Sequence, residues 1–259
     1  TFAMGASAYA GWQLYLGESL AAWLGVILTT GPVVVMIGRW MLLNDVARTS
    51  THFPLLILLG VAGSILALWG WYTNSTDRVA PILSVGGLVF FLIYLYWYSR
   101  FDRDSGGKIS VGKRLPDFSV TNVDGQSVST ELLTMQPAIL IFYRGNWCPL
   151  CMAQVKELVK QYQEISALGV KVAFISPQPH KYSINLSKKF AVDFDFLTDE
   201  GNKAARALGI ESKNGLPMGM QVLGYDSETV LPTVIITDNS GKVLWVHETD
   251  NYRVRPDPD

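Results

Sequence analysis

Cys148 and Cys151 are the only cysteines in the chain, and they are separated by Pro149 and Leu150. They follow an apolar, strand-like stretch, Ala138 to Tyr143. They precede Met152, Val155, Leu158, Val159, Tyr162 and Ile165, which are apolar at helical spacing. A strand feeding a Cys-x-x-Cys pair into a helix start is the layout of thiol–disulfide chemistry. Cys148 then falls at or beside the N-cap, and Pro149 sits in the first turn, where its missing N–H costs nothing. Unpaired amides and the helix dipole favour a thiolate there, by about 1.4 kcal/mol for each unit of lowered pKa. Cys151, one turn further on, is placed to form or resolve a disulfide.

Two other uses of such a pair compete. A closed zinc site needs two more ligands, and His52, His180 and His247 form no close pair. Free cysteines are also often inert core residues, but a strand-to-helix junction is an unusual place for that. Redox chemistry is the expectation.

The elements that carry this site occupy only part of the chain. Residues 1–100 hold seven charged side chains, Glu18, Arg39, Asp45, Arg48, Asp77, Arg78 and Arg100, and no lysine. Three uncharged apolar runs lie there, about 19–38, 53–72 and 79–98. Each is long enough, at 1.5 Å per residue, to cross a hydrocarbon core of roughly 30 Å. Trp23, Trp40, Trp69, Trp71, Trp97 and Tyr98 mostly cluster toward the run ends, as interfacial aromatics do. The spacing predicts three transmembrane helices and a lipid bilayer as partner. Thr29, Thr30, Ser64 and Ser84 are the polar residues of the runs, and Gly60, Gly63, Gly86 and Gly87 permit close helix approach. With no ionisable group in a run's core, the anchor is expected to be passive.

Residues 1–18 lack the basic segment of a cleaved leader, and Thr1 to Gly17 could be interfacial or extend the first span. Three spans leave Arg39, Arg48, Arg100, Arg103, Lys108, Lys113 and Arg114 on one side and Arg78 on the other. Charge asymmetry therefore puts residues 101–259 in the cytoplasm, where the dithiol would rest mostly reduced. A net charge of −1 gives no hint of nucleic-acid binding, no basic helix or cluster suggests it, and no nucleic-acid partner is expected.

After a linker at 101–114, the rest reads as an α/β domain, 115–259. Leu115 to Val120 precedes an Asp124-Gly125 turn, and Val170 to Ile175 is a buried strand. Tyr182 to Phe190 and Asn202 to Leu208 read as helices. Val234–Thr237 and Lys242–His247 flank the hairpin signal Asp238-Asn239-Ser240-Gly241. The expected fold is a central mixed sheet with flanking helices.

Leu115-Pro116-Asp117-Phe118, the run from Phe142 through Arg144, Trp147 and Cys148 to Cys151, Ile175-Ser176-Pro177-Gln178, Leu231-Pro232-Thr233 and the tail His247 to Pro256 occur in that order. Residues 109–259 thereby resemble the peroxiredoxin-like redoxins, the alkyl hydroperoxide reductase / thiol-specific antioxidant group of the thioredoxin fold. The resemblance does not extend to the three spans. It implies a helix beyond Asp259, no bound cofactor, and an external thiol or dithiol reductant of thioredoxin or glutathione type. The family's peroxidatic pattern of Pro, Thr and Cys falls on Arg144, Cys148 and Cys151, so the Pro and the Thr are both replaced. The activating arginine of a later strand falls in the Leu231-Pro232-Thr233 region. A cis peptide before Pro232, as in thioredoxins, is expected there.

Two chemical assignments follow. Cys148 attacks a substrate disulfide and Cys151 resolves, or Cys151 attacks a peroxide and Cys148 condenses with its sulfenic acid. Arg144 either supplies charge beside the thiolate or is a solvated loop residue. Trp147 is expected to pack over the pair, with Pro232 and Thr233 beside it. Asp117 could be a base or a turn cap, His180 and His247 proton shuttles or loop and sheet residues, and Arg206 a solvent-facing helix residue. Asn74-Ser75-Thr76 and Asn185-Leu186-Ser187 match the glycosylation pattern. Function is thus expected to be a membrane-anchored thiol–disulfide oxidoreductase acting on hydroperoxides or protein disulfides. The alternative is a non-catalytic accessory subunit of a membrane complex that uses the fold for docking.

Overall fold

The computed structural model describes residues 2–74, 78–101, 103, 108–217 and 219–257. Ser75 and Thr76 of the first glycosylation pattern, and Asp104 to Gly107 of the expected linker, lie outside the described residues. The chain forms two compact units, Thr1–Asn44 with Ser50–Arg100, and Asp45–Thr49 with Phe101–Asp259.

The first unit is helical. α1 (Phe2–Tyr15) is a separate helix, because Leu16 and Gly17 break the chain and Gly17 takes a φ of +82°. α2 (Leu20–Leu43) ends where Asn44 turns left-handed and returns its N–H to the Trp40 carbonyl. α3 (Pro54–Asn74) begins at a proline. α4 (Val79–Ile93) runs on through a π-helical turn, Tyr94–Tyr98. Leu20–Leu43, Pro54–Thr73 and Val79–Tyr98 are long and apolar enough to cross a membrane.

Small residues set their packing. A Cβ at Gly63 would lie 2.6 Å from the Gly25 carbonyl oxygen, and one at Gly70 2.4 Å from the Ala22 nitrogen. Thr29 Oγ1 sits 2.7 Å from Ser84 Oγ, so buried hydroxyls bond across helices as well as to their own backbone.

In the second unit β1 (Ser119–Thr121) and β2 (Ser127–Ser129) form a hairpin. β3 (Ala138–Phe142), β4 (Lys171–Ser176), β5 (Asp195–Thr198), β8 (Thr233–Thr237) and β9 (Val243–Glu248) complete a seven-stranded mixed sheet in the order β2-β1-β5-β4-β3-β8-β9. β6 (Glu211–Ser212) and β7 (Thr229–Val230) pair separately. The helices are α5 (Thr130–Leu133), α6 (Pro149–Lys160), α7 (Tyr162–Ala167), α8 (His180–Phe190) and α9 (Lys203–Leu208). The single helix expected after the cysteines breaks at Gln161, leaving α6 and α7.

β3 is central, parallel to β4 and antiparallel to β8. Its alternation divides the core: Leu140 and Phe142 pack on one face, and Ile141 and Tyr143 on the other, where both cysteines lie.

Of the expected linker 101–114, Phe101, Arg103 and Ile109 are held against the domain. Ile109 is buried in the domain core, Phe101 packs against that core, and the Arg103 guanidinium donates to the Pro232 and Thr249 carbonyls. The two apolar side chains gain more from burial than a solvated tether offers. The Leu231–Pro232 peptide is trans, contrary to the cis bond expected from thioredoxins. Leu231 N–H donates to Ile210 O, and the Pro232 carbonyl accepts from Arg103. The segment thus enters β8 extended, in the isomer that proline already prefers.

Candidate active site

Cys148 occupies the N-cap of α6 with extended backbone angles, Pro149 opens the helix, and Met152 N–H donates to the Cys148 carbonyl. The preceding turn depends on Gly145, whose φ is +143°. A Cβ there would meet Trp147 Nε1 at 2.7 Å, so glycine is required both for conformation and for space. Thr229 Oγ1 holds the Arg144 carbonyl at 2.9 Å, and Gln178 Oε1 accepts from Asn146 N–H at 2.8 Å. Gln178 also donates to Tyr143 Oη and Ser183 Oγ, which ties the cysteine loop to β3 and α8. Neither Gln178 nor Thr229 was marked as a site residue by sequence, although Gln178 stands in one of the quoted motifs.

Both thiols are free, and both are buried, at 2 % exposure for Cys148 and 1 % for Cys151. They belong to an apolar cluster with Leu150, Val155 and Phe174, and Trp147 and Tyr252 pack against it. Yet they are not electrically isolated. Cys148 donates a hydrogen bond to Cys151; that bond, then burial, pushes the Cys148 thiol well up. Burial also pushes Cys151 up. The Cys148 hydrogen bond, the Arg255 guanidinium, the Arg144 backbone N–H and the Arg144 charge outweigh it, and Cys151 falls to about 5. The direction of these shifts favours charge on Cys151 over Cys148. Arg255 and Arg144 act on both sulfurs; Cys151 differs in receiving the Cys148 hydrogen bond and the Arg144 backbone N–H.

Arg255 is the residue that sequence reasoning missed. Its Nη2 lies 3.3 Å from Cys151 Sγ, its Nη1 donates to Gln154 Oε1 at 2.9 Å, and the side chain is 6 % exposed. It sits in a C-terminal strap, Thr249–Asp257, built from its own hydrogen bonds, among them Val254 N–H to Asn251 O and Thr249 Oγ1 to Asn251 O. Asp45–Thr49 clasps that strap. Thr49 N–H donates to the Arg253 carbonyl, Arg253 Nη1 to Thr49 Oγ1, and Arg48 Nε to the Pro256 carbonyl. Arg48 also pairs with Glu157.

Arg144 is buried rather than solvated. Its guanidinium stacks 4.7 Å from Trp147 and 5.3 Å from Tyr252 and donates to the Gly215 carbonyl. Its direct hold on Cys151 is through its backbone amide. Thr233 pairs with Phe142 across β8 and β3, so Pro232 and Thr233 sit at the sheet end that leads into the cysteine loop. Their side-chain and carbonyl partner is Arg103.

His247 lies on β9, half-buried, with its pKa lowered by burial and then by Arg103 and Arg255. His180 meets Thr198 Oγ1 at 3.2 Å, Asp117 is exposed, and Arg206 pairs with Glu228 at the surface. Asn185 lies on α8. Among the described residues no group of three or more His, Cys, Asp or Glu could hold a metal.

A pair of free cysteines at the mouth of a helix, laid on this sheet, defines a protein of the thioredoxin fold. Residues 111–246, just over half of the chain, match the AhpC/TSA family model, and the chain belongs to that family.

Peroxiredoxin Q of Oryza sativa subsp. japonica chloroplasts is 30% identical over 104 residues, which cover 40% of this chain and 48% of the relative. The chain spans about half the length of such chloroplastic relatives. Thiol-disulfide oxidoreductase ResA of Bacillus cereus is 23% identical over 168 residues, 64% of this chain and 83% of the relative. Among solved structures, a peroxiredoxin-like protein from Aquifex aeolicus aligns with a TM-score of 0.48 at 18% identity, covering 59% of this chain and 84% of that one. Peroxidoxin BcpB from Mycobacterium tuberculosis aligns at 0.47 and 21%, covering 56% and 90%.

Proposed function

We propose that this protein is a membrane-anchored thiol peroxidase that reduces hydroperoxides through a Cys148/Cys151 dithiol–disulfide cycle. The observation that carries the reading is the buried Arg255 guanidinium, whose Nη2 lies 3.3 Å from Cys151 Sγ with Cys148 one turn away at the start of α6. The Cys151 hydrogen bond and burial push Cys148 up, while against burial the Cys148 hydrogen bond, Arg255 and Arg144 draw Cys151 down. The Cys151 thiolate attacks the peroxide, an S–O bond forms, and the O–O bond breaks. Sulfur is oxidised by two electrons, and the departing alkoxide takes a proton from water. Cys148 then condenses with the sulfenic acid, forming the disulfide and releasing water. Two equivalents of an external thiol, of thioredoxin or glutathione type, return both sulfurs to the reduced state.

Burial favours a small substrate. A hydroperoxide needs a narrow opening to reach a sulfur that is 1 % exposed, whereas a protein disulfide needs the nucleophile at the surface. The three long apolar helices support a place in the bilayer. Arg39, Arg48, Arg100, Arg103, Lys108, Lys113 and Arg114 against Arg78 support a cytoplasmic domain.

The test is a brief hydrogen peroxide pulse on the Cys148→Ser and Cys151→Ser full-length proteins, with dimedone trapping and mass spectrometry. A sulfenic acid adduct on Cys151 in the first variant, and none in the second, is the expected result. An adduct on Cys148 alone, or mixed disulfides trapped only through Cys148, would reverse the assignment and favour disulfide reductase chemistry.

A further inference from the structure

The resemblance places the family's activating arginine near Leu231-Pro232-Thr233, and no arginine stands there. The Arg103 guanidinium beside that segment is engaged elsewhere, with the Pro232 and Thr249 carbonyls and Glu248. Arg144 faces Trp147, Tyr252 and the Gly215 carbonyl. One guanidinium does reach a sulfur. Arg255 touches Cys151 Sγ through Nη2 and is steadied by Gln154 through Nη1. Its buried Nε has no hydrogen-bond acceptor among the described residues. An arginine buried this deeply is costly unless something offsets its desolvation. Its neutral neighbour Gln154 offsets little, which leaves the sulfur as its counter-charge.

We propose that Arg255, delivered by the C-terminal strap, is a catalytic residue of the peroxide reaction, taking the place of a strand-borne arginine, and that Gln154 is its positioning residue. The inference rests on the thiol peroxidase reading and deepens it. In the attack, negative charge leaves Sγ and appears on the departing oxygen. A guanidinium already in contact with Sγ, with Nε free to donate, can follow that charge as the S–O bond forms and the O–O bond breaks. Arg48 and Thr49, which hold the strap at the Pro256 and Arg253 carbonyls, keep the cation seated.

The experiment uses full-length reduced protein in detergent, with the thiolate followed by absorbance near 240 nm against pH and Cys151 oxidation followed in single turnover. The titratable and charged groups facing Cys151 are Cys148, Tyr143, Arg144 and Arg255, so variants are confined to Arg255 and its anchor. Arg255→Met is expected to move the Cys151 midpoint from about 5 up past the ordinary thiol value of about 8.5. It should slow oxidation at neutral pH by at least about tenfold, with Arg255→Lys recovering part of both losses. Gln154→Leu, which leaves the guanidinium and removes its anchor, should slow oxidation by about threefold and keeps the test open if Arg255→Met does not fold. An unchanged midpoint and rate in these variants, with Cys151 still the oxidised residue, overturns the role of Arg255 and leaves the peroxidase reading standing. Peroxide consumption that survives Cys151→Ser overturns the reading itself.

Discussion

Both units bury hydroxyls, but among the described residues only the sheet unit buries guanidiniums as well. In the helical unit the buried polar side chains Thr29, Thr30, Ser64, Ser84 and Ser99 are hydroxyls bonded to one another or to backbone carbonyls. None is charged, and the helices close on one another through glycine. In the sheet unit Arg144, Arg253 and Arg255 are all buried, and two of them bear on a sulfur. Hydroxyls that share protons are cheap to bury and serve packing. Guanidiniums are costly and persist where a charge must be held. The contrast separates a unit whose buried polar groups serve packing from one that keeps buried cations beside a dithiol.

The sharpest way to break that contrast is Cys151→Ser. Peroxide consumption by the purified protein should fall by at least about a hundredfold, because an alcohol cannot replace the activated thiolate. Cys148→Ser should keep one round of oxidation and lose turnover, as read by substrate consumed per protein. In the helical unit, Gly63→Leu forces a side chain against the Gly25 carbonyl. It should lower stability to unfolding in detergent by about 1–3 kcal/mol, with the Cys151 midpoint unmoved. A shifted midpoint would show that the two units are not separable in this way.

A pH series tests the sheet unit alone. Cys151 is held at about 5 in the fold, against about 8.5 for a free thiol. Its stabilising contribution is therefore full above about 8.5 and is lost as pH falls toward 5. Cys148, pushed up, acts oppositely and takes stability away as pH rises above its ordinary value. The reduced protein, compared with the Cys148→Ser/Cys151→Ser double variant, should show its greatest relative stability near pH 8.5 and lose it on either side. The smallest effect expected is for Thr29→Val, which removes the cross-helix bond to Ser84 and should cost about 0.6 kcal/mol in the same detergent unfolding measurement.

Local pattern made much of this legible. β3, α6 and the cysteines between them announce themselves by period, proline and spacing, and the three apolar runs need only length and composition. The site's electrostatics were not legible, since they depend on contacts between distant residues. Arg255 meets Cys151 across 104 positions, from a tail with no helical or strand period. The Tyr252-Arg253-Val254-Arg255-Pro256 segment stands in the quoted tail His247 to Pro256, but nothing local marks Arg255 within it as a site residue.

Arg144 was legible as a candidate, but not its aromatic stacking, which needs Tyr252 brought from the same strap. The trans Leu231–Pro232 bond departs from the thioredoxin analogy, and the contact of Arg103, outside the quoted motifs, with the Pro232 carbonyl was equally out of reach of local pattern. The packing of Phe101 and Ile109 was hidden for the same reason, as a charged, glycine-containing segment gives no local sign that Ile109 finds the core.

The central claim is that the inner sulfur carries the charge. Residue-resolved alkylation of the reduced full-length protein, quantified by mass spectrometry from pH 4 to 10, tests it directly. Cys151 should be modified with a midpoint near 5, once access is allowed for by the amplitude. Cys148 should remain a thiol past its ordinary range. A Cys148 that titrates first, with Cys151 still protonated at neutral pH, would contradict the account.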